Sequence, residues 1–264
     1  MRIHDQHVHS YYSFDSKQRI EEYLNKAVGL GLDYFVLTDH CDLNFLDKKK
    51  DLFFDLSKQK KELKELQGEY PNIKILSGIE IGYKPSELNR INNIINDNNF
   101  DLINLSLHES DGIDYYLVEE FKKRGVDKTL EIYFSRQLEM VSEYDDFDVL
   151  CHIDYGFKTA YLLDNSIEIS KYKNIISKIL QELIKKDKTL EINIKVQEFL
   201  PISHTRYLLE LYRKLGGTNI TISSDSHVCE KYYDNFDKYI ELIKTVGFKN
   251  LTYFVNRAKY YLPL

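Results

Sequence analysis

Eight histidines punctuate this chain: His4, His7, His9, His40, His108, His152, His204 and His227. Imidazole and carboxylate groups are the ordinary protein ligands of zinc, iron and manganese. His7-Val-His9 carries geometry of its own, because residues i and i+2 of a strand point the same way and two imidazoles can grip one ion. Asp225-Ser-His227 repeats the pattern if the chain stays extended there. Glu80 stands inside the apolar run Ile75-Leu-Ser-Gly78-Ile-Glu80, where an acid is expensive to bury unless it is paired or bound to a metal. Asp15 and Asp225 complete a group that reads as a metal site. Asp39 and Asp154 lie beside candidate ligands and suit the task of accepting their free N–H groups. His4 and His204 stand apart from this pattern and read first as structural histidines.

Such residues need elements to bring them together. Apolar or β-branched runs occur at about 2–9, 33–38, 73–83, 101–107, 147–153, 189–194 and 219–224. Amphipathic stretches alternate with them at about 17–30, 49–69, 86–98, 127–144, 166–187, 203–215 and 234–247. Segment 49–69, rich in lysine, reads as a solvated surface helix, and Lys48-Lys49-Lys50 as a charged face. Repeated βα alternation implies a parallel sheet with right-handed crossovers. Seven units predict an α/β fold, a distorted (β/α)7 TIM-like barrel one unit short of the usual eight; an open doubly wound sheet is the alternative. No Pro/Gly/Ser-rich linker interrupts the chain, so residues 1–264 read as one domain. His7, His9, His40, His108, His152 and His227 all fall at or just past the C-terminal end of a predicted strand. Those ends share one face of a barrel, where active sites are found.

The bulk properties narrow the partners. With 43% hydrophobic and 30% charged residues the chain is an ordinary globular protein. Its formal net charge of -6 weighs against a general nucleic-acid binder. An anionic substrate then needs local positive charge, which bound metals supply. Cys41, Cys151 and Cys229 are odd in number, and the N-terminus shows no apolar leader, which points to reduced thiols and a cytoplasmic location. No apolar run approaches the ~20 residues of a membrane span. Cys41 and Cys151 adjoin ligands and, as strand neighbours, should face away from them, so a Cys–His nucleophilic hydrolase is a weak reading.

Taken together, Asp5-x-His7-x-His9-Ser10, Thr38-Asp39-His40, Gly78-Ile-Glu80, Ser106-Leu-His108, Cys151-His152-Ile-Asp154 and Ser224-Asp225-Ser-His227 resemble, in order, the motifs of the PHP (polymerase and histidinol phosphatase) superfamily. The resemblance runs from residue 3 to about 229. Length and layout are similar to the stand-alone histidinol-phosphate phosphatases of histidine biosynthesis, which have a distorted (β/α)7 barrel. The resemblance implies three divalent ions of zinc, iron or manganese. One would be held by His7, His9, Glu80 and Asp225. A second would share Glu80 with His108 and His152. The third would take Asp15, His40 and His227, with Asp15 where many relatives have histidine. After the sixth strand, relatives often carry an Asn-Thr-Ser-Gly-Leu-Arg-like run. This chain reads Glu191-Ile-Asn193-Ile-Lys195-Val-Gln-Glu198, keeping Glu-x-Asn without the arginine; the departure bears on the substrate, not on the metals.

Such a centre predicts phosphate-ester hydrolysis. Three divalent ions against the carboxylates Asp15, Glu80 and Asp225 leave about +3, matching a phosphomonoester dianion plus a hydroxide. A hydroxide bridging two ions would attack phosphorus in line, with Glu80 as the bridge and Asp225 or Asp154 as acid for the leaving alkoxide. Lys158, Lys195, His204 and Arg206 are the candidates to meet substrate phosphate. The expected partner is a small phosphate ester, foremost L-histidinol phosphate, with neither nucleic acid nor membrane. A PHP-type phosphodiesterase or 3′–5′ exonuclease is the alternative, which predicts a basic, aromatic-lined groove. A metal-binding protein without turnover is the third reading.

Overall fold

The structure, a computed structural model, describes residues 4–264. Its main sheet is built on parallel strands. Lys74–Gly82 pairs on one side with Tyr34–Leu37 and His40–Asp42, and on the other with Leu102–Ser106. Val149–Leu150, Thr189–Asn193 and Ile220–Ser223 follow in sequence order. The second predicted strand is interrupted at Thr38 and Asp39, so His40 falls in register with Glu80. A short antiparallel strand, Leu52–Phe53, flanks it.

The first predicted strand, 2–9, is not a regular strand where it is described; residues 1–3 lie outside the described residues. Val8 forms a single parallel bridge to Ser226, His9 N donates to Ser226 O (2.8 Å), and Thr38 N donates to Val8 O (2.9 Å). Further backbone groups of this segment bond to side chains. Thr38 Oγ1 accepts from Val8 N, and Asn104 Nδ2 donates to Gln6 O. Backbone satisfied by side chains has no need of a full ladder. This segment bridges the first and last strands and completes a distorted, TIM-like (β/α)7 barrel.

Helices wrap the outside with apolar stripes at 3–4-residue spacing, as in Lys173–Lys185, where Ile176, Ile179, Leu180 and Leu183 are buried. Most predicted helices stand within a few residues of their expected bounds. The 49–69 helix begins later, at Leu56, where the Asp55 carboxylate accepts from Ser57 N and Lys58 N. Lys48, Lys49 and Lys50 are exposed before it. The 166–187 stretch splits into a 3-10 turn, Ile169–Tyr172, and the helix Lys173–Lys185.

Three helices, Val118–Arg124, Tyr155–Leu163 and the four-residue Ile194–Gln197, were not expected. Tyr155–Leu163 is buried along Gly156–Ala160, so it lacks the polar stripe that marks a helix in a sequence. The hairpin of Asn250–Val255 and Ala258–Pro263 was also unforeseen. It turns on Asn256 (φ 50°) and Arg257 (φ 59°), both left-handed as a two-residue hairpin loop requires. Arg257 is held there by ion pairs to Asp146 and Asp148 and by its N–H to Asp101 O. The hairpin delivers Phe254 and Val255 to a buried cluster with Val36, Leu76, Leu102, Val149 and Cys151. This apolar plug lies below Glu80, because Leu76 and Glu80 share one face of their strand.

Candidate metal centre

Glu80 is fully buried, and its two oxygens face different histidines. Oε2 lies 2.7 Å from His40 Nδ1, 3.4 Å from His7 Nε2 and 3.5 Å from His9 Nε2. Oε1 lies 2.9 Å from His152 Nε2 and 3.2 Å from His108 Nε2. Asp225 Oδ1 is 3.3 Å from His9 Nε2 and 3.9 Å from His7 Nε2. Asp15 closes the outer side, 3.1 Å from His227 Nε2 and 3.7 Å from His40 Nε2. Two ligands at about 2.1 Å from a tetrahedral ion stand about 3.4 Å apart, so these spacings suit shared ions. His7 Nε2 and His9 Nε2 are buried without hydrogen-bond partners. Each such atom left alone costs about 1–3 kcal/mol, and a metal in common is what the donor set fits. All nine residues expected as ligands converge here.

The groups behind them differ in part from expectation. Glu191 Oε1 lies 2.8 Å from His7 Nδ1, and Asp42 Oδ1 lies 2.7 Å from His108 Nδ1. Each fixes an imidazole with Nε2 toward the centre. Neither was anticipated in that role. Asp39 does not touch a ligand imidazole. It accepts from Ser10, Gln59 and Ser13, and the Ser13 hydroxyl in turn lies 3.0 Å from His9 Nδ1. Asp154 accepts from Gln197 Nε2 and meets His204 Nε2 at 2.8 Å, so it orients a histidine outside the centre. Asp5 is no ligand; it accepts from Ser224 N and from the Ser224 hydroxyl, pinning the backbone just before Asp225.

Two local backbones also depart from simple strand alternation. The last strand ends at Ser223, and Asp225 turns into the left-handed region (φ 51°). Asp225 and His227 therefore reach the site from a turn, not from an extended pair. Aspartate tolerates that conformation better than most residues. At His152 a φ of 21° bends the chain, so Cys151 lies inside, near His7 and Glu191, instead of facing away. Cys41 packs into the outer apolar core.

The charges explain one another. Burial pushes Glu80 up, but His7, His40 and His108 outweigh it and hold the carboxyl well below its usual range. Burial pushes His40 down, yet Glu80 and Asp15 raise it to about 10. His108 is likewise raised, by Asp42 and Glu80 against burial. His9 is lowered by burial and by the neighbouring His40 and His227. Burial is outweighed at Asp225 by Lys195 and His7, which keep it ionised.

A cavity of about 370 Å³ opens over the centre. Lys158 and Lys195 line it with Asp15, Asp225, His227 and the aromatic rings of Phe14, Tyr116 and Tyr155. Lys158 is buried, with Nζ 4.5 Å from the centroid of the Tyr155 ring, and burial and Lys195 push it down to about 8. Lys195 Nζ lies 3.3 Å from Asp225 Oδ1 and 3.0 Å from His227 Nδ1. Lys195 arrives on the short helix Ile194–Gln197, capped by Asn193, whose Nδ2 also reaches Asp225. The other two phosphate-binding candidates do not join it. Arg206 faces Glu210 on the outside of Ile202–Lys214, and His204 lines a separate cavity with Phe157 and Tyr161. Asp154 is buried away from the cavity lining.

The profile of the PHP domain family matches residues 5–195. The chain belongs to the PHP family. Its relatives in that family include the histidinol-phosphatase of Lactococcus lactis, 31% identical over 96% of this chain and 95% of the relative. A probable histidinol-phosphatase of Clostridium acetobutylicum is 29% identical over 98% and 99%. Among solved structures, histidinol phosphate phosphatase from Lactococcus lactis, complexed with zinc, L-histidinol and phosphate, superposes with a TM-score of 0.83 at 28% identity, covering 97% of this chain and 98% of that one. A protein from Listeria monocytogenes, named as its putative histidinol phosphatase, shares the fold at 18% identity with a TM-score of 0.75. No helix among the described residues is long and apolar enough to cross a membrane.

Proposed function

We propose that this PHP protein is a metal-dependent phosphomonoesterase, residues 1–264 acting as one domain, that hydrolyses L-histidinol phosphate to L-histidinol and phosphate. The observation that carries the reading is Glu80: a buried carboxylate whose two oxygens address separate histidine sets beneath a cavity with two lysines. The relative whose structure holds zinc, L-histidinol and phosphate supports the same substrate and metal.

His7, His9, Glu80 and Asp225 would hold one ion, Glu80, His108 and His152 a second, and Asp15, His40 and His227 a third, of zinc, iron or manganese. When bound, the ions supply Lewis acidity to water and to phosphate oxygens. Glu191, Asp42 and Ser13 keep the imidazoles aimed. Lys195 and Lys158 neutralise the phosphate oxygens on the open side. Asp225, ionised at rest, would accept the proton released by the attacking water and pass it to the leaving alkoxide. Asp154 acts at a distance, tying His204 and Gln197 to the helix that bears Lys158.

A panel of phosphate esters, assayed for released phosphate with metal content measured on the same sample, tests this. Turnover of histidinol phosphate should exceed that of the other esters. It should fall at least ~100-fold in Glu80→Gln and His7→Asn. Wild-type turnover in either variant, or after complete chelation, would remove the assignment.

A further inference from the structure

Four carboxylates line the cavity: Asp15, Asp42, Asp114 and Asp225. Three are committed. Asp15 and Asp225 face the imidazoles of the centre, and Asp42 is bonded to His108. Asp114 is different. It closes the small hairpin of Glu109–Ser110 and Ile113–Asp114, directly after the ligand His108, and Tyr115 N donates to His108 O to fix that hairpin against the site. Its Oδ1 accepts from Tyr116 N at 3.0 Å. No lysine, arginine or histidine among the described residues forms an ion pair with it.

A carboxylate without a cation is out of place in a pocket for a phosphate dianion. At close range it repels that dianion. It belongs there if the substrate carries its own cation beside the phosphate. Lys195 lies by Asp225 and His227, and Lys158 lies over the rings of Tyr155 and Tyr116, yet Asp114, beside Tyr116 on the His108 side, is ion-paired to neither. The cavity thus offers two lysines to a phosphate and, in Asp114, one carboxylate without a cation of its own, a combination that suits a zwitterionic ester.

We infer that Asp114 is a specificity-determining residue, whose free oxygen receives the ammonium group of an amino-alcohol phosphate while the phosphate occupies the metal floor. This rests on the phosphomonoesterase reading above. Tyr116 N holds one carboxylate oxygen, so Asn at this position keeps the acceptor and loses the charge.

The test compares the metal-loaded wild type with Asp114→Asn on three esters: L-histidinol phosphate, its N-acetyl derivative and p-nitrophenyl phosphate. The expected result is a 10- to 100-fold rise in KM for histidinol phosphate, with kcat, metal content and both control esters unchanged. Inhibition by free L-histidinol should weaken by a similar factor. Asp114→Glu should recover part of the loss. An equal change on all three esters, or no change on any, overturns the role of Asp114 and leaves the phosphatase reading standing. A wild type that turns over none of them removes both.

Discussion

Glu80 and Glu191 carry the same signal, an acid embedded in a β-rich run, and they do different work. Glu80 faces the histidines of the centre; Glu191 stands behind His7. The local sequence shows that each acid must find a partner, but which partner depends on the packing of strands more than a hundred residues apart. That is why the nine converging residues were legible and Glu191, Asp42 and the Ser13 relay were not. Replacing Glu191 with Gln should lower metal affinity or turnover about 10- to 100-fold, measured by metal titration of dialysed protein. The pKa shifts give a second expectation. His40 is raised to about 10 in the metal-free protein, against ~6.5 when unfolded. Its contribution to stability is complete below about 6.5 and is lost as pH rises through about 10. Glu80 and Asp225 are depressed, so theirs is present above the ordinary carboxylate range and lost as pH falls below it. Metal-free protein should therefore melt highest in mildly acidic buffer. Metal uptake should also release protons and tighten as pH rises. Melting curves across pH, with proton release followed by calorimetry, check both; a metal-free melting temperature flat to pH 9 would contradict the first.

Periodic apolar stripes made most surface helices readable. The elements that escaped are those without that periodicity. Tyr155–Leu163 is enclosed, and the closing hairpin turns on Asn256-Arg257, a pair far less telling than Asn-Gly. Arg257 is what holds that hairpin in place. Arg257→Ala leaves Asp148, which is mostly buried, without its cation, and should cost about 1–3 kcal/mol. For a chain of this size that is a fall in melting temperature of several degrees, about 2–4 °C per kcal/mol. Turnover should be untouched, because the hairpin meets the barrel at the end opposite the metals. Scanning calorimetry beside a phosphate-release assay separates the two effects; a large loss of kcat would mean the plug also sets the geometry of Glu80.

At the scale of the molecule, seven alternating units were enough to anticipate the barrel and which of its faces bears the site. They did not show that the first segment joins the ring through side chains, since a run of apolar and β-branched residues looks the same whether or not its ladder forms. Ions held by residues from many separate segments should stabilise the whole barrel. Each ion present at a hundred times its dissociation constant adds about 2.7 kcal/mol, on the order of 5–10 °C here. Chelation should lower the melting temperature accordingly and readdition restore it, with metal content tracked in parallel.

Gln6 accepts from Phe254 N through its side chain, and Val8 bridges Ser226. His7, between them, therefore waits on parts of the chain made more than two hundred residues later. During synthesis the nascent barrel has neither its closing seam nor its floor until residue 254 leaves the ribosome. The cluster around Glu80 is then assembled late, while most of the polypeptide is already exposed.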